Sequence, residues 1–234
     1  TLMMETCVTV TWMKLCYQLL RLTGDRVFAD AIEQSFCNAY LSALNTHEVV
    51  IPVYGISSDK NENRRQPYYS LLIFDSYNPL TVDRRCRAVG GVCVFFEDNS
   101  YYGCCACIGA AGIGTVGKIA VMESCDSVII QYYIGGKISF TTGNGSEVVL
   151  DIRTRYPYDG SAVIHVEKWD DKLASLKLRI PSWSAKTSVK HNETFAFSDV
   201  DYVEIKNVII GSEILLEFDM RVRQILPYCS DSPN

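Results

Sequence analysis

Basic clusters are missing from this sequence: no run of lysine or arginine exceeds the pairs Arg64-Arg65 and Arg84-Arg85, and the net charge is −5. A phosphate backbone needs a basic face, so nucleic acid is not expected as a partner. No apolar run reaches the length that crosses a bilayer, and no basic stretch followed by an apolar one opens the chain, so a soluble protein without membrane contact is expected. Low-complexity tracts and a solenoid period are absent as well. Histidine is scarce, at three residues, His47, His165 and His191. The ten cysteines are spaced irregularly in a chain too long to need disulfide staples. The neighbouring Cys104 and Cys105 would close a strained ring if bridged. A reducing, cytoplasmic setting follows. What is present is a core: 48% of the residues are hydrophobic and 21% charged, enough for one large domain or two ordinary ones in 234 residues.

Residues 5–22, "ETCVTVTWMKLCYQLLRL", carry Val8, Trp12, Leu15, Cys16, Leu19 and Leu20 at spacings of three and four, the pattern of one buried helical stripe. Gly24 suits the left-handed position that ends a helix, and Asp25 suits the cap of the next. A second helix is predicted over about 27–44, burying Phe28, Ile32, Phe36, Tyr40 and Leu41, so that the two form an antiparallel hairpin. Two helices cannot cover each other's faces, and further helices are expected from chain outside this sequence. Thr1 in place of an initiator methionine, and an end at "ILPYCSDSPN" just after a strand-like run, read as cuts through a longer protein.

From Glu48 the period changes to short strands around the polar loop "SSDKNENRRQ". Beyond residue 125 it is β throughout: "SVIIQYYI", "KISFTT", "SEVVLDIRTRY", "SAVIHVEKW", "ASLKLRIP", "YVEIKNVII" and "EILLEFDM", divided by turn signals such as "GNGS" and "YDGS". Seven short strands at this spacing predict a β-sandwich, with a boundary near residue 120.

The stretch "YYGCCACIGAAGIGTVGK", residues 101–118, offers three chemistries. Gly112, Gly114 and Gly117 match G-x-G-x-x-G, but the nearest acids, Glu123 and Asp126, precede the next strand instead of ending it. With Lys118 the glycines resemble a P-loop, yet residue 119 is isoleucine and offers magnesium no hydroxyl. A helix whose small residues allow close packing accounts for them without a ligand. For the cysteines, a pair of thiolates at Cys104 and Cys105 could join the acid and sulfur of Glu5 and Cys7 in a four-coordinate zinc site. Only the fold could unite such distant doublets, and inert buried cysteines fit the spacing equally well.

The order of motifs along the chain resembles the β-L-arabinofuranosidase group, glycoside hydrolase family 127 and its relatives. The residues that carry the resemblance are Glu5-Thr6-Cys7, the block "TGDRVFADAIEQSFCN" at 23–38, "YNPL" at 77–80, the pair Cys104-Cys105 and "YIG" at 133–135. They continue through "YPYDG" at 156–160, "LRIPSW" at 178–183 and Met220-x-Val222-Arg223. The resemblance implies an α+β multidomain fragment: residues 1–120 as the C-terminal part of an (α/α)6-barrel catalytic domain, 121–222 as an antiparallel β-sandwich, and 223–234 as the start of a further β segment. It also implies a retaining hydrolase of β-L-arabinofuranosides with Zn2+ held by Glu5, Cys7, Cys104 and Cys105, and with Cys104 as nucleophile. Thr6, Glu33 and Tyr77 become candidates for contact with the sugar.

The family's general acid/base and its sugar-binding histidines find no match here, so the chain by itself is expected to be inactive. The partner implied is an arabinofuranoside-type carbohydrate, with a homodimer as the assembly to test for. Where relatives carry "PPN" or "PTN" after the cysteine pair, this chain has Ala106-Cys107-Ile108, and Cys107 is a rival ligand. Two readings compete with a hydrolase: a carbohydrate-binding module with a structural zinc site, and a metal-free module whose cysteines are all inert.

Overall fold

A computed structural model describes residues 6–43, 49–54, 65–70, 94–95, 101–102, 104–197 and 200–224; for 49–106, and for 194, 196 and 197, it describes the backbone alone. The chain is mixed α+β and divides into two compact units, Thr1–Ser124 with Val128–Tyr132, and Cys125–Ser127 with Tyr133–Asn234. None of the described helices is long and apolar enough to cross a membrane.

In the first unit α1 (Thr6–Thr23) and α2 (Arg26–Ser35) form the expected hairpin, and α2 runs on into a π-helical turn, Phe36–Tyr40. The connection is built as the sequence indicates. Gly24 takes φ +69°, and its N–H donates to the Leu20 carbonyl at 2.8 Å. The Asp25 carboxylate then accepts from the Val27 N–H at 2.9 Å, satisfying one of the donors that a helix start leaves open. Backbone pairs β1 (Val49–Tyr54) with β2 (Arg65–Ser70) and β3 (Val94–Phe95) with β4 (Tyr101–Tyr102) follow, both antiparallel. Then come α3 (Cys104–Ala120), β5 (Val121–Ser124) and β6 (Ser127–Ile130), the last two hydrogen-bonded neighbours across a turn in which Cys125 has φ 49°.

Val10, Met13, Cys16 and Leu20 of α1, Ala29 and Ile32 of α2, Tyr40, and Val116, Ile119 and Ala120 of α3 make one buried cluster. The face that α1 buries therefore differs from the stripe read in the sequence. Cys16 and Leu20 are inside, but Val8, Trp12 and Leu15 are about half exposed. Apolar residues sit on both sides of this helix, so periodicity alone could not choose between them.

The second unit adds β7 (Gly136–Thr141), β8 (Glu147–Thr154), β9 (Ser161–Lys168), β10 (Ser175–Arg179), β11 (Thr187–His191), β12 (Glu193–Phe197), β13 (Tyr202–Lys206) and β14 (Glu213–Glu217). An antiparallel six-stranded sheet has the order β12-β11-β14-β9-β8-β7, while β10 pairs with β13 in another sheet. Register places Ile152 opposite Ile164 and Ile164 opposite Ile214, and likewise Val189 opposite Leu216 and Leu216 opposite Ala162. All six are essentially buried, so the period-two apolar pattern of each strand becomes continuous rungs across one face.

Each of the seven strand patterns beyond residue 125 contains a strand. Missed were β5 and the β11–β12 hairpin, "TSVKH" and "ETFAF", where polar residues break the apolar alternation.

Candidate functional site

In the first unit Tyr40, buried at the end of the π turn, donates from its hydroxyl to the Gly109 carbonyl. Gly112 lies so close to the Tyr40 ring that a Cβ there would overlap it. The "GIGTVG" stretch is thus the middle of a continuous helix, with Gly112 serving close packing as the ligand-free reading expected. Burial pushes the Tyr40 phenol up to about 12, so its proton stays on the donor throughout the neutral range.

At the other end of α3 the Tyr132 N–H donates to the Ala120 carbonyl at 3.2 Å, while the Tyr132 hydroxyl donates to the Ala29 carbonyl at 2.7 Å. These two links fix the direction of α3. Its first half lies level with the end of the α2 segment, and its last turn with the start of α2. Because α1 and α2 are antiparallel across a two-residue turn, α1 and α3 begin at the same end of the unit.

Of the doublets singled out in the sequence, Cys7, Cys104 and Cys105 lie at these beginnings. Thr6 and Cys7 are the first two residues of α1, and Cys104 and Cys105 the first two of α3. Thr6 is buried, and Cys7 is partly exposed and forms no disulfide, its carbonyl accepting from the Thr11 hydroxyl at 2.7 Å. Glu33 is buried on α2, and Cys107 is exposed one turn into α3. Glu5, Tyr77, His47 and the side chains of Cys104 and Cys105 lie outside the described residues. Among the described residues no three His, Cys, Asp or Glu side chains gather as a metal site. Cys16 matches the expectation of an inert core thiol: it is buried, and burial raises its pKa.

The later motifs meet in the second unit. Tyr133 of "YIG" donates from its hydroxyl to the carbonyl of Arg179, a fully buried residue of "LRIPSW", at 2.7 Å. Its ring lies 5.0 Å from that of Phe218, and Trp183 lies 5.8 Å from the same ring. Tyr156 of "YPYDG" stacks on Trp183 at 6.0 Å. Gly160 accepts the Phe218 N–H at 2.9 Å and sits so near that a Cβ would come within 2.6 Å of the Phe218 carbonyl oxygen.

Just beyond, the Asp219 N–H donates to the Ser184 hydroxyl at 3.0 Å. The Asp219 carboxylate accepts from Arg221 at 2.8 and 2.7 Å and from Arg223 at 2.7 Å. The Arg221 hydrogen bonds above all hold its pKa well below the usual carboxylate range. Four motifs far apart in sequence therefore form one aromatic and ionic corner. Their contacts here are architectural.

Residues 127–220 match the family described as beta-L-arabinofuranosidase, GH127 middle domain. Among solved structures the chain is similar to a GH127 beta-L-arabinofuranosidase from Geobacillus stearothermophilus T6, with TM-score 0.60 and 21% identity over 94% of this chain and 32% of that one. A protein titled glycoside hydrolase gives TM-score 0.63 and 19% identity over 93% and 33% of the two chains. A GH127 beta-arabinofuranosidase gives 0.60 and 18% over 92% and 32%. At such identity the likeness speaks for the fold, and this chain spans about a third of each of those structures. No curated protein matches by sequence. The resemblance to GH127 read from the motifs is borne out.

Proposed function

With its strand-rich half carrying the GH127 middle-domain pattern, we propose that this chain is a segment of a retaining glycoside hydrolase acting on β-L-arabinofuranosides. In this reading residues 1–120 belong to an (α/α)6-barrel and residues 121–222 form a β-sandwich. The match over residues 127–220 carries the assignment. The common starting end of α1 and α3 supports its chemistry, because distant doublets can share an ion only if their helices begin together. The donor set fits zinc: three sulfurs, Cys7, Cys104 and Cys105, with one carboxylate, Glu5. Bound there, zinc would keep the thiols deprotonated near neutral pH.

Cys104 Sγ then forms a bond to the anomeric carbon as the bond to the departing oxygen breaks, and a carboxylic acid outside this chain gives that oxygen its proton. The same group, now a carboxylate, takes a proton from water, whose oxygen displaces sulfur and restores the original configuration. Thr6, Glu33 and Tyr77 contact sugar hydroxyls. Alone, the chain binds metal but does not turn over.

Metal analysis of protein purified without chelators tests the donor set. About one zinc per chain is expected, falling several-fold in Cys104→Ser and Cys7→Ser while Cys125→Ser keeps it. Zinc-free protein with an intact fold, or equal loading in all three variants, would sink the site.

A further inference from the structure

Among the described residues β13 has one strand neighbour, β10, so the other edge of β13 is open. Every second residue of an antiparallel strand turns its N–H and C=O away from its partner, and among the described residues those groups on residues 203–206 meet no other main chain. Beside that edge lies a cleft of about 380 Å³, lined by residues 203–206 and by Val189, His191 and Phe195 of β11 and β12. Val203 and Ile205 are buried, whereas Phe195 is 52% exposed. The edge thus joins unpaired backbone to an incompletely covered apolar surface, the combination that invites strand addition.

The side chains of β13 point to what adds. Glu204 and Lys206 lie on one face and Val203 and Ile205 on the other, because alternate residues of a strand face opposite ways. Facing residues in an antiparallel pair share a face, so a two-fold axis relating two β13 strands must pass through a residue, not between two. Centred on Glu204, such a pair would set that carboxylate against its own copy. Centred on Ile205, it sets Glu204 against Lys206 of the second copy and Lys206 against Glu204 of the second copy, with the two isoleucines meeting over the apolar side.

Only the centre at Ile205 is self-complementary in both charge and hydrophobicity. Ser175 already holds one oxygen of Glu204 at 2.8 Å, and Lys206 lies 3.7 Å from the other, so both charges stand on the face where the new pairs form. Lysine on an edge usually deters pairing, but it does so where the facing strand offers no acid.

We propose that two copies of this chain associate through β13, antiparallel and centred on Ile205. The strand ends at Lys206, and Asn207 beyond it takes φ 56°. Centred on Ile205, only residues 204–206 of β13 face strand residues of the second copy, and the dimer is a weak one, dissociating between about 10 μM and 1 mM.

Sedimentation of the 234-residue chain across that concentration range tests the contact, with hydrogen exchange of residues 203–206 as the local readout. Dimer should accumulate with concentration and slow exchange at β13. Lys206→Glu should weaken association at least tenfold, and Glu204→Lys/Lys206→Glu should restore it, each variant being checked for an unchanged circular dichroism spectrum. A wild-type chain that stays monomeric to about 1 mM, a dimer indifferent to Lys206→Glu, or a charge swap that fails to rescue would each overturn the proposal.

Discussion

The two units solve the same problem differently. In the strand-rich unit buried residues of the six-stranded sheet face buried neighbours across the strands, as in the rung Ile152, Ile164 and Ile214. In the helical unit α1 buries Val10, Met13, Cys16 and Leu20, yet it also presents Val8, Trp12, Leu15 and Leu22 outward at spacings of four, three and seven. A sheet face is specified by alternation, and a one-residue slip would expose all of it, so sequence and burial agree closely there. A helix can carry two apolar stripes at once, and its sequence does not say which one its neighbours cover.

The sharpest way to break this comparison is to remove the centre of the rung. Ile164→Ala deletes fully buried carbons flanked on both sides by isoleucine, and should cost the strand-rich unit about 2–5 kcal/mol. Urea unfolding would read it. A loss under about 1 kcal/mol would mean that the rung is not the tightly packed centre described.

Glycine substitutions probe the same contrast with smaller effects. Gly160→Ala pushes a methyl against the Phe218 carbonyl, which is backbone and cannot swing away, so a loss of about 1–3 kcal/mol is expected. Gly112→Ala also overlaps a neighbour, but that neighbour is the Tyr40 side chain. Alanine also gains about 0.5–1 kcal/mol over glycine inside a helix, which offsets part of the clash. The Gly160 variant should therefore be the more damaging of the two, and the reverse order would place the rigid contact in the helical unit.

The corner at Asp219 adds a pH signature on the acid side. Its folded pKa is depressed by Arg221 and then Arg223, while an unfolded aspartate titrates near 3.9. The stabilisation is complete above about pH 4 and is lost as pH falls further through the folded value. Asp219→Asn should lower Tm at neutral pH modestly and flatten the acid limb below about pH 4. An unchanged acid limb would show that the arginine pairs hold no more than their partners' positions.

How much was legible follows from the kind of signal each residue carried. Gly24 and Asp25 announced the hairpin because a left-handed turn and a helix cap have few chemical solutions. "YPYDG", "LRIPSW" and "MRVR" were legible as an ordered set, but only the fold shows that they build one corner. The β11–β12 hairpin escaped because its strands carry Ser188, Lys190 and Glu193 where an apolar pattern would have betrayed them. For the cysteines, the sequence offered candidate donors at distant positions, and the fold adds what spacing could not, that α1 and α3 begin at the same end of the helical unit.

The smallest effect tests the teaching of α1 itself. Trp12 is 47% exposed while the adjacent Met13 is fully buried, so neighbouring residues of one helix should behave oppositely. Met13→Ala should cost about 2–5 kcal/mol. Trp12→Gln should change stability of the chain by no more than about 0.5 kcal/mol, because its contacts in this unit are few and glutamine keeps helix propensity. Urea titration of both variants separates the two faces. If Trp12→Gln proved as damaging as Met13→Ala, the outward stripe would already be covered within the chain, and the difference between a self-sufficient sheet and a half-covered helix would disappear.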